Sequence, residues 1–173
     1  MKLKRELPQF KNTPSLVIVT GWQVAKIFYA NNGEIHQEKE IEIENPQYTE
    51  KEGSFESKGG GMAGVVRSSA SAEKDKKYVR AEFLKEFNQY LNERIKKGDI
   101  KDVYVFSPSQ GLSDLKDHMS SGLKDMVKGF LVGNYTNKKP DELVEMIKKE
   151  QESKSIDIMT EEAKKILDKS SNF

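Results

Sequence analysis

Apolar and polar positions change rhythm three times along this chain. Leu16-Val17-Ile18-Val19-Thr20 is a continuous apolar run behind Pro14, which predicts a strand buried on both faces. After a turn at Gly21-Trp22 the residues alternate from Val24 to Ala30, with Val24, Lys26 and Phe28 set against Ala25, Ile27 and Tyr29. That period predicts a second strand. Asn31-Asn32-Gly33 predicts a hairpin, because Asn and Gly tolerate positive φ. Ile35 to Glu44 alternates again, with Ile41 and Ile43 between glutamates, as a strand with one wet face does. The first third of the chain therefore predicts a three-stranded antiparallel meander.

The rhythm is then lost over residues 45–72, which are polar and rich in Gly and Ser and predict a long loop, mobile until bound. It returns at a helical period from Glu73 to Lys97, where Tyr78, Val79, Phe83, Phe87, Tyr90, Leu91 and Ile95 fall mostly on one face and Gly98 supplies the stop. Val103-Tyr104-Val105-Phe106 predicts a buried strand, followed by a turn at Ser107-Pro108-Ser109-Gln110-Gly111. Ser113 can cap a helix carrying Leu115 and Met119. Gly129 to Gly133 predicts another strand, and Pro140 the first turn of a helix with Leu143, Val144, Met146 and Ile147. Residues 150–159 read as a linker and Thr160 to Leu167 as a last helix. Alternation of helices and strands in the second half asks for parallel pairing with crossovers. The expected organisation is an N-terminal extension over 1–14, an α/β domain over 15–150 and a linker with helix over 151–173. The expected fold is α/β, a mixed five-stranded sheet with helices on its faces.

Charge sharpens this picture. Net charge is only +1, yet residues 34–56 hold eight Glu against Lys39 and Lys51, while residues 58–80 hold six basic residues against Glu73 and Asp75. Such asymmetry places a basic patch on a near-neutral protein, or simply two solvated faces of opposite sign. The chain has no Cys, which excludes disulfides, thiol catalysis and Cys-based zinc sites. Leu16 to Val19 is too short to span a bilayer, and no apolar segment of signal-peptide length follows Lys2, Lys4 and Arg5. A cytoplasmic protein without membrane contact is expected.

The candidate chemistry centres on Gly59, Gly60, Gly61, Met62, Ala63 and Gly64. Successive glycines bury no side chain and lose backbone entropy when ordered. They fit a segment that stays mobile or brings its backbone close to a partner, or a plain linker into the helix. Lys58, Arg67, Lys74, Lys77 and Arg80 flank this segment, where phosphate contacts would anchor it. No Gly-Lys-Ser/Thr follows, so it is not a phosphate-binding P-loop. His36 and His118 fall in different elements with no metal-ligand spacing and read as surface residues. The apolar strands carry no clustered acids for two-metal chemistry, and Glu40, Glu42 and Glu44 read as a solvated face. Ser107 and Ser109 lack a nucleophile elbow. Trp22 reads as a rim or core aromatic rather than a base-stacking platform. No cofactor and no metal are expected.

The order of these pieces resembles the central Gly-Gly-Gln domain of the eukaryotic and archaeal class-1 peptide release factor and Pelota. It is similar in particular to the single-domain "protein required for attachment to host cells" group of the bacterial and archaeal release-factor-like families. The resemblance covers about residues 15–148. It rests on Gly60-Gly61-Met62-Ala63-Gly64 with Lys77-Tyr78-Val79-Arg80, on Val103 through Leu115, and on Leu123 through Gly129 with Asn134-Tyr135-Thr136 and Pro140 to Leu143. It implies a ribonuclease-H-like fold and a factor that binds the large ribosomal subunit or tRNA, of rescue or hibernation type. Where that family places its hydrolytic Gln this chain has Met62, or Gly61 with the register shifted by one. A thioether has no amide donor, so the expectation is a protein that is not an enzyme. The alternatives are a protein-interaction or host-attachment-related protein, and a residual peptidyl-tRNA hydrolase working through backbone amides.

Overall fold

The computed structural model describes residues 1–44 and 64–170, with side chains described for 1–44 and 76–155. A five-stranded sheet in the order β3-β2-β1-β4-β5 forms its centre. The strands are β1 (Ser15–Thr20), β2 (Val24–Asn31), β3 (Glu34–Glu42), β4 (Asp102–Ser107) and β5 (Val127–Val132). β1 pairs antiparallel with β2, and β2 with β3, while β1, β4 and β5 run parallel. This is the mixed five-stranded α/β sheet expected.

The meander closes at Asn32 and Gly33, with φ of 47° and 78°, both in the left-handed region that a two-residue primed turn requires. The apolar runs of β1 and β4 follow from burial on both faces, since successive side chains point to opposite sides. Leu16, Ile18, Val103 and Val105 face one side, where they meet Phe83, Leu84, Phe87 and Leu91 of α1 (Gly64–Ile95). Leu115 of α2 (Leu112–His118) and Leu123 of α3 (Ser121–Met126) complete that layer. Val17, Val19, Tyr104 and Phe106 face the other side, where Leu143, Val144 and Ile147 of α4 (Pro140–Ser170) cover them. Residues 1–14, set apart in the sequence as an extension, pack on this second face through Leu3 and Phe10. Their backbone is stitched to the hairpin by Gly33 N donating to Gln9 O at 2.7 Å and Leu3 N donating to Gly33 O at 2.8 Å.

Two helix boundaries differ from expectation. α1 begins at Gly64, nine residues before Glu73, so the loop expected over 45–72 ends sooner. Ser and Ala inside a helix are nearly as tolerable as other residues, and a helix nucleated by the packed segment propagates through them. The linker expected over 150–159 is also helical, because α4 runs unbroken to Ser170. That stretch contains no Pro or Gly, and its approach is laced by pairs four residues apart, Lys149 with Glu145 at 3.0 Å and Lys154 with Glu150 at 3.1 Å.

The C-terminal end of α1 is tied down by Arg94. Its Nη1 and Nη2 donate to the Asp99 carboxylate at 2.5 and 3.0 Å, and its Nε donates to Glu38 of β3 at 2.5 Å. The guanidinium holds the Asp99 carboxyl below its ordinary range. A folded-state value below the unfolded one adds stability above about pH 4, which is lost as pH falls through the folded value. Asp99 is nearly half exposed, so the contribution is below about 1 kcal/mol. Asp99→Asn is expected to flatten the acid side of a stability–pH curve without moving the plateau at neutral pH by more than that. A variant curve parallel to the wild type between pH 2 and 5 would show that the pair carries no pH dependence.

Candidate nucleic-acid interface

Strand directions bring several connections to one edge. β1, β3, β4 and β5 all end there, because β3 is antiparallel to β2 and β2 to β1. The Gly21-Trp22 turn, the Pro108–Gly111 turn and the Gly133–Lys139 connection therefore share an edge with the end of β3. In open α/β sheets, ligands are met at such carboxyl ends.

Arg80 organises this edge. It sits on the inward face of α1 and is only 6% exposed. Its Nη1 donates to Trp22 O at 2.6 Å and lies 3.5 Å from Gly21 O, while Nη2 donates to Gly111 O at 2.8 Å. The guanidinium lies 4.9 Å from the Trp22 ring centre and 5.3 Å from that of Phe83. Burial lowers its pKa, and Asp114, whose Oδ2 is 3.9 Å from Nε, opposes that shift. An arginine stays charged under such a shift. One side chain thus fastens α1 to the turns after β1 and β4.

Gly111 makes the fastening possible. It holds φ at +88°, and a Cβ there would lie 2.7 Å from Arg80 Nη2 and 3.7 Å from the Trp22 ring. Any side chain would both strain the backbone and push the guanidinium out. Next to it, Thr20 Oγ1 donates to Phe106 O at 3.3 Å and Ser107 Oγ to Pro108 O at 3.2 Å, so both hydroxyls serve the backbone.

The expected site residues fare unequally. Arg80 was expected to meet phosphate; it is instead drawn inward, because its place among Val79, Phe83 and Leu84 puts it on the packed face of α1. Lys77 is exposed, one turn above Arg80 on the same side of the helix. Lys58 and Gly59 to Ala63 lie outside the described residues, Gly64 is the first residue of α1, and the side chains of Arg67 and Lys74 are not among those described. His36 is exposed beside the Tyr29 ring, and His118 Nδ1 lies 2.7 Å from Asp114 O, so the two do not meet. Among the described residues no three His, Asp or Glu side chains cluster to hold a metal, and no helix is long and apolar enough to cross a membrane. Sequence reasoning missed the union of Trp22, Arg80 and Gly111. Its available signal was the register of Arg80, which stands three, four and seven residues before Phe83, Leu84 and Phe87.

The sheet carries α1 to α3 on one face and α4 on the other, with its turns gathered at one edge. The chain belongs to the bacterial archaeo-eukaryotic release factor family 12, whose model matches residues 14–147. Among solved structures, an archaeal translation termination factor is similar at 13% identity and a TM-score of 0.48. The match covers 86% of this chain and 42% of that one. A structure described as an archaeal protein is similar at 13% identity and a TM-score of 0.43, covering 86% of this chain and 41% of the other. This chain thus spans about two fifths of the structures it matches. No curated protein matches its sequence.

Proposed function

We propose that this protein is a translation factor that binds the large ribosomal subunit or tRNA, with the segment joining β3 to α1 as its leading element. The observation that carries the reading is topological. The glycine-rich residues 59–64 lie between the end of β3, at the carboxyl edge of the sheet, and α1, which reaches that edge at Arg80. Membership in a release-factor family supports it. Binding without hydrolysis is the form proposed, because Met62 offers no amide where the family resemblance expects Gln.

Co-sedimentation with ribosomes tests this. Native protein is expected to pellet saturably at low salt and to be released as salt rises, since phosphate contacts dominate such affinity. Arg67→Glu with Lys74→Glu, and deletion of residues 58–63, are each expected to abolish pelleting while leaving the melting transition in place. Arg80 is avoided because its loss would disturb the fold. Peptide release from peptidyl-tRNA is expected to stay at background, and release above it would replace the binding reading with the hydrolase. Absence of pelleting would favour a protein-partner role of the host-attachment kind.

A further inference from the structure

Trp22 is the only tryptophan of the chain and stands 44% exposed. A single exposed aromatic is ordinary by itself; what sets Trp22 apart is how its ring is held. Its presentation is built. The Arg80 guanidinium lies over the ring at 4.9 Å, the Trp22 carbonyl accepts from Arg80 Nη1, and the ring rests against the turn that only Gly111 leaves open. The ring is therefore held in place between a cation and the Gly111 turn, with part of it open to solvent. Around it the edge is polar: Ser109, Gln110 and Asn134 are exposed. Lys76 and Lys77 stand exposed about one turn above Arg80. Tyr78 on α1 and Val132 at the end of β5 are also exposed, and the cation behind the Trp22 ring favours a base over an apolar protein partner. A flat ring backed by a guanidinium and flanked by lysines suits a base and its phosphates.

We propose that Trp22 is a stacking platform for an unpaired nucleobase of single-stranded RNA, with Arg80 fixing the ring and Lys76, exposed one turn above it on α1, supplying positive charge for a neighbouring phosphate. The proposal deepens the ribosome- or tRNA-binding reading and rests on it for the choice of RNA. It adds a contact independent of the glycine-rich segment.

The chain's one indole is also its own probe. Titration of the full-length protein with a short oligoadenylate is expected to quench Trp22 emission saturably, while an abasic oligomer of equal length leaves it unchanged. Trp22→Ala is expected to weaken binding of fluorescently labelled oligoadenylate on the order of 10-fold or more, with Trp22→Phe restoring most of it. Melting curves of both variants check the fold. No quenching by RNA, or labelled-RNA affinity unchanged in Trp22→Ala, overturns the platform. Ribosome pelleting separates this from the parent reading. If wild type and Trp22→Ala pellet equally, with their RNA affinities equal too, the platform falls and the ribosomal role stands. If RNA quenches Trp22 but ribosomes do not bind, the platform stands and the ribosomal role falls. Pelleting lost in Trp22→Ala with free-RNA affinity intact would assign the ring to a protein surface and overturn the proposal.

Discussion

Arg80→Ala is expected to lower the unfolding free energy by about 3 kcal/mol, measured as a shift of the urea midpoint at unchanged slope. The side chain is nearly buried, and its charge-assisted donors serve Trp22 O and Gly111 O on two separate turns. Truncation strands those carbonyls, leaves a void against Phe83, and unties α1 from the sheet edge at once. Arg80→Lys is expected to recover less than half of the loss, because a single ammonium cannot reproduce a planar fork between two turns. The same variants carry a second signature. With the guanidinium gone from its ring, the Trp22 indole should gain freedom, seen as lower fluorescence anisotropy in the folded state. A loss of less than about 1 kcal/mol would mean that the turns are held by their own backbone and that Arg80 is dispensable to them.

Arg80 also shows where a sequence stops being legible. A residue's charge is plain from its letter, but its direction depends on which face of a helix is packed. Read among Lys74, Lys76 and Lys77, it looks like part of a basic patch; read against Phe83, Leu84 and Phe87, it belongs to the inward stripe. Strands were easier. The unbroken run Leu16–Val19 and the alternation on either side of Asn32-Gly33 are local patterns, and local patterns fixed the meander and its turn. Helix ends were harder because nothing local decides them. Ser68 to Ala72 and Glu150 to Met159 are weakly polar or charged stretches without Pro or Gly, and both continue a helix that tertiary packing nucleates elsewhere. Gly111 was visible only as part of a turn. Its need for a missing Cβ arises from Arg80, 31 residues earlier in the chain.

The second large effect divides α1 in two. Phe87→Ala is expected to cost about 4 kcal/mol, because Phe87 is fully buried and stacks on Phe83 with ring centres 5.7 Å apart, so truncation opens a cavity between helix and sheet. Tyr78→Ser, only nine residues earlier on the same helix, is expected to change stability by less than about 0.5 kcal/mol, since Tyr78 is 64% exposed. Lys76, Lys77 and Tyr78 are exposed in succession. Lys76 in particular stands three, four and seven residues before the buried Val79, Arg80 and Phe83, in line with the inward stripe, and is exposed. Along the described side chains of α1, burial therefore begins at Val79. Urea denaturation of the two variants tests the division directly. If Tyr78→Ser destabilises by more than about 1 kcal/mol, the start of α1 is packed and cannot serve as a free support for the glycine-rich segment. If the contrast holds, substitutions at Lys76 or Tyr78 that abolish ribosome pelleting must act on the bound partner. The part of α1 from Val79 onward then fixes the edge, and Lys76 and Tyr78, exposed just before it, are available for contact.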